Sequence, residues 1–159
     1  MLFHAPVEAA DHVRAKATLF SLLLLPLSLG LGCGVCLVFT PSPALAALSL
    51  ANFLVLPLSL ACMNTGLGLA WVGAGAGHAE EVLASPAGVL AMVLGLLLVI
   101  FQNALMVLPQ HTLWERALWP QRGFIGPWLV LDLLLWVGLH AYAASVPLTM
   151  AVRKIEGRE

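Results

Sequence analysis

The sequence predicts an all-α integral membrane protein: four transmembrane helices, with a short external interfacial helix before the last span. Three observations predict it. The 159 residues are 61% hydrophobic and only 9% charged, against roughly 25% charged in soluble domains. No Asp, Glu, Lys, Arg or His occurs from Ala17 to Gly77 or again from Val82 to Gln110, and about 20 apolar residues suffice to cross the hydrocarbon. The third is a repeated helix start, Ser42-Pro43, Ser85-Pro86 and Gly126-Pro127. There a capping or permissive residue precedes a proline that has no N–H to leave unpaired.

The whole chain, 1–159, reads as one membrane domain. The first span covers about 17–39 and carries Pro26. Ahead of it stand Glu8, Asp11, Arg14 and Lys16 without a small-residue cleavage site, the pattern of a retained helix and not of a signal peptide. The turn Thr40-Pro-Ser-Pro43 leads into the second span, 43–71, where Pro57 removes a helical hydrogen bond and predicts a kink or tilt. A loop at 73–84 carries His78, Glu80 and Glu81, and the third span follows at 86–109. Thr112 and Glu115 have capping-box spacing, and Pro120 provides a stop, which predicts a separate external helix over about 112–119. The fourth span, 127–152, contains Asp132 and His140.

Orientation follows from the basic residues. With four spans both termini share a side, which holds Arg14, Lys16, Arg153, Lys154 and Arg158, whereas the loop after the third span holds Arg116 and Arg122. The positive-inside rule places both termini in the cytoplasm, with Trp114, Trp119 and Trp128 near the outer interface. A net charge of -1 without a basic patch argues against nucleic acid as a partner.

Cys33 and Cys36 raise a redox reading, because membrane thiol oxidases also carry a C-x-x-C pair. Such an electron relay needs a second cysteine pair to exchange with, and the only other cysteine is Cys62. A zinc site wants four ligands, and the first span has no histidine. Packing explains more: Gly30 and Gly34, with Cys33 between them, form a small-xxx-small pattern that lets helices approach.

Intramembrane ionisable residues are functional candidates by default. Asp132, Trp136 and His140 follow at steps of four along one stripe that faces protein, and Asp132 also has a simpler reading as a hydrated group near the outer interface. Asn52, Asn64, Thr65, Gln102 and Asn103 are further polar groups in spans, more often bundle glue than substrate ligands. No nucleophile with a base and no phosphate-binding glycine loop is present: Gly73 to His78 follows a span and lacks the lysine of a nucleotide loop. The sequence thus predicts no catalytic residue, no metal and no cofactor of its own.

Read in order, "APVEAADHVRAKATLF", two apolar spans, and "NTGLGLAWVGAGAGHAEEVLASPAGVLAMVLGLLLV" resemble the C-terminal part of the permeases of bacterial type-2 ABC exporters. Pro6-Val7, Lys16, Gly66-Leu-Gly68, Glu80-Glu81, Ser85-Pro86, Gly88 and Met92 carry the resemblance, and the tail "AVRKIEGRE" is similar to the basic ending of such permeases. Ile155-Glu-Gly-Arg158 also matches a protease-recognition sequence, and the resemblance favours a native tail. Trp71-Val72 departs from the family's Phe-Pro. The resemblance implies a permease subunit in the bacterial inner membrane that moves cargo with ATP hydrolysed on a separate ATP-binding subunit. It also implies a companion permease or second copy, with His78, Glu80 and Glu81 as ATPase contacts. Such permeases have more spans per half than four, so the chain would be a piece of one or one polypeptide of a split permease. The alternatives are a thiol-disulfide oxidoreductase using Cys33 and Cys36, and a small four-helix membrane scaffold.

Overall fold

A computed structural model describes residues 9–39, 42–72, 85–119 and 126–157. Four helices fill them: α1, Ala9–Phe39; α2, Pro43–Val72; α3, Pro86–Leu118; and α4, Pro127–Ile155. Each contains a stretch long and apolar enough to cross a bilayer: Val13–Phe39, Pro43–Trp71, Gly88–Leu118 and Pro127–Ile155. The chain is an all-α, multi-pass membrane protein.

The helix starts are built as their residues require. Ser85 Oγ accepts from the Gly88 amide at 3.0 Å, and Ser42 Oγ from the Leu45 amide at 3.3 Å, so each serine satisfies one of the orphan donors of its helix. Gly126 supplies extended backbone without a side-chain cap. α1 begins at Ala9, earlier than the expected boundary at 17, because its first turns are amphipathic: Val13 and Ala17 are buried, while Arg14 and Lys16 point outward.

The external helix is found joined to the third span. Residues 112–118 are helical, but they continue α3 without a break. Thr112 Oγ1 donates back to the Leu108 carbonyl at 2.8 Å and caps nothing. Pro109 sits inside the helix, fully buried. Its lost N–H sacrifices one hydrogen bond, whereas ending the helix there would leave up to four carbonyls without partners. The resulting 33-residue helix, at about 1.5 Å per residue, exceeds the roughly 30 Å hydrocarbon thickness, so it tilts or projects beyond it.

α2 packs against all three other helices. Its proline is accommodated by a neighbour. Pro57 has no N–H to offer the carbonyl of Phe53, and Ser28 Oγ on α1 donates to that oxygen at 2.5 Å. A backbone group freed inside hydrocarbon costs several kcal/mol unless it finds such a partner. The α1–α2 contact also corrects the expected glycine pair. Gly30 and Gly34 have open space beside them, and it is Gly32 that receives α2, with the Phe53 ring where its Cβ would be. Cys36 Sγ reaches the Ala46 carbonyl at 3.7 Å across the same contact.

α2 and α4 run parallel and form the main seam. Trp136 meets Asn52, His140 meets Ser59, Gly66 meets Pro147 and Lys154 meets Ala70, rising together along both helices. A Cβ on Gly66 would collide with the Pro147 carbonyl and the Leu148 nitrogen, so glycine is what allows the two backbones to touch. Lys154 Nζ donates to the Ala70 carbonyl, an orphan acceptor in the last turn of α2. An apolar cluster of Met63, Leu67, Ala91, Leu98 and Ala143 fills the space among α2, α3 and α4.

Candidate functional site

Two of the three residues in the α4 stripe, Trp136 and His140, face protein. Trp136 and His140 are 8% and 4% exposed, and their rings meet edge to face with centroids 5.0 Å apart. Trp136 Nε1 donates to Asn52 Oδ1 at 3.2 Å, and His140 Nδ1 shares a 2.8 Å hydrogen bond with Ser59 Oγ. Asp132, near the start of the same helix, is half-buried and has no hydrogen-bond partner among the described residues. It is not joined to the His140 pair.

Ser59 was not singled out by sequence reading, nor was Gly66 as a helix contact. Their signal is a seven-residue spacing, Asn52, Ser59, Gly66, which keeps one side of a helix against a partner over several turns. The facing residues on α4, Trp136, His140, Ala143 and Pro147, alternate by fours and threes and are all buried.

The remaining candidates separate. Asn64 is exposed on α2, and no hydrogen bond joins it to the described residues. Asn103 is exposed on α3, where its Nδ2 donates to the Val99 carbonyl at 2.8 Å. Cys33 is exposed and Cys36 half-buried, both as free thiols. His78, Glu80 and Glu81 lie outside the described residues.

Beside the seam, at the end of the bundle away from Ala9 and Ile155, α1, α2 and α3 enclose an open cavity of about 520 Å³. Ser49, Asn52, Asn103, Gln110 and His111 contribute its polar wall, and Trp114 also lines it. His111 Nε2 lies 3.8 Å from Glu115 Oε1. A second cavity of about 340 Å³ among α2, α3 and α4 is almost wholly apolar, with Trp71, Tyr142 and Pro147 in its wall. A third, of about 310 Å³, has Arg14 at its edge and Ser21 and Cys62 within. Among the described residues no three His, Cys, Asp or Glu side chains gather in a way that could hold a metal ion.

Comparison with protein-family models, curated proteins and solved structures found no match.

Proposed function

We propose that the chain is a non-catalytic subunit of a larger membrane complex: the permease, or part of the permease, of an ABC-type exporter in a bacterial cell membrane. Both termini and the 73–84 loop face the cytoplasm, where His78, Glu80 and Glu81 contact a separate ATP-binding subunit that hydrolyses ATP. A companion permease or a second copy completes the path.

The observation that carries the subunit reading is Asn64. It stands exposed within a span, eight residues before the end of α2 at Val72. At about 1.5 Å per residue that is roughly 12 Å along the helix. An amide left there against lipid chains costs on the order of several kcal/mol, and a neighbouring helix from another polypeptide removes that cost. α1 agrees, since only 6% of its most apolar window is buried within the chain. The exporter assignment rests on the sequence resemblance.

Affinity purification of the full chain in mild detergent tests the proposal. An ATP-binding subunit and a permease partner are expected to co-purify, and the Glu80→Lys, Glu81→Lys double variant is expected to lose the ATP-binding subunit while keeping the permease partner. Purification of the chain alone, with transport activity intact, contradicts it.

A further inference from the structure

Two amides in the wall of the cavity among α1, α2 and α3, Asn52 and Asn103, each have one end committed to a partner, and the uncommitted ends are of opposite kind. A tryptophan N–H can only donate, so the bond from Trp136 fixes Asn52 Oδ1 as the acceptor and leaves the Asn52 Nδ2 donors available. A backbone carbonyl can only accept, so the bond to Val99 fixes Asn103 Nδ2 as the donor and leaves Asn103 Oδ1 as an acceptor. The cavity therefore presents both a free donor and a free acceptor. Among its described lining residues there is no Asp, Glu, Lys or Arg, and its one histidine, His111, has Glu115 beside it at 3.8 Å.

A hydroxyl group, which accepts from one partner and donates to another, matches this pair. A carboxylate can only accept and would face the Asn103 oxygen unfavourably, and an ammonium can only donate and would face the Asn52 N–H groups. The apolar part of the wall includes Phe39, at the end of α1, and Val107, inside the third span, which are 65% and 64% exposed. An exposed apolar residue within a span faces acyl chains, so a guest with its head at the two amides has hydrocarbon beside its tail at Val107. The volume of about 520 Å³ falls within the range of small-molecule pockets, about 300–1,000 Å³.

We propose that this cavity binds a neutral, hydroxyl-bearing amphiphile, its hydroxyl accepting from Asn52 and donating to Asn103, its chain lying along Phe39 and Val107. The proposal stands independently of the exporter reading.

The test is native mass spectrometry of the full chain from micelles containing equal amounts of 1-monooleoylglycerol, oleic acid and oleylamine. The wild type is expected to retain monooleoylglycerol in preference to both charged counterparts. Asn103→Leu is expected to lower that retention about threefold to tenfold, the loss of one hydrogen bond. Its side chain is exposed and bonded only within its own helix, so the variant keeps the fold, checked by circular dichroism. Ser145→Ala, exposed on α4 and outside the cavity, is expected to retain the lipid as the wild type does. Displacement by excess free glycerol assigns the same hydroxyl site to a soluble polyol, and its absence assigns it to the lipid. Equal retention of all three amphiphiles, or an Asn103→Leu variant indistinguishable from wild type, overturns the proposal.

Discussion

His140 is held by one nitrogen only. Its Nδ1 is bonded to Ser59, while Nε2 is buried without a partner among the described residues, as are Gln102 Oε1 and Thr65 Oγ1. An unmatched buried polar group costs about 1–3 kcal/mol, whereas replacing it by an apolar group of similar shape is close to neutral. Ser59→Ala strips His140 of its remaining bond and is expected to destabilise the protein by about 1 kcal/mol, the size of interhelical bonds in membranes. Gln102→Leu removes an unmatched acceptor and is expected to be neutral or stabilising. Unfolding of both variants in mixed micelles checks the pair; a Gln102→Leu loss larger than the Ser59→Ala loss would show that Gln102 has a partner. His140 was visible in the sequence as a titratable residue one turn past a tryptophan. Ser59 was not, because serine in a leucine-rich run has no local signature and gains its meaning only from the helix that arrives 81 positions later.

At the scale of elements, small residues decide how closely helices pack, and they are not the ones a motif suggests. Gly30 and Gly34 match a small-xxx-small spacing yet face open space, while Gly66 has the Pro147 backbone against it. Gly66→Leu is therefore expected to destabilise the α2–α4 seam by about 2 kcal/mol or more, in the manner of overpacked cores. Gly30→Ala and Gly34→Ala are expected to be neutral or slightly stabilising through helix propensity. Thermal melts of the three variants distinguish the pairs, and a larger loss at Gly34 than at Gly66 would place the tight contact elsewhere. The helix starts at Ser42 and Ser85 were legible because capping is local chemistry. Ser85→Ala is expected to cost about 1 kcal/mol, measured the same way. The continuity of α3 through Pro109 was not legible. The Thr112 and Glu115 spacing is a real local signal, but a long helix keeps more backbone groups paired than two short ones would, and that balance is struck over the whole element.

For the whole molecule, hydropathy was enough to count the spans, since runs without a charge leave little choice in a 159-residue chain that is 61% hydrophobic. The arrangement of the spans was less accessible. That α2 touches every other helix, and that α2 and α4 meet in parallel through Asn52, Ser59, Gly66 and Ala70, follows from contacts between distant segments. A parallel seam between the second and fourth helices is what alternating crossings require: both run in the same direction through the membrane. Outward-facing leucines such as Leu22, Leu27 and Leu37, 63%, 66% and 88% exposed, are then a lipid or partner surface and not a folding defect. The most direct test is accessibility mapping of single tags placed in intact cells at the N-terminus, at His78, at Arg122 and at the C-terminus. Four crossings predict that Arg122 lies on the side opposite the other three, and the distribution of basic residues predicts that its side is the outer one. Labelling of Arg122 and the C-terminus from the same side would contradict the fold and everything built on it.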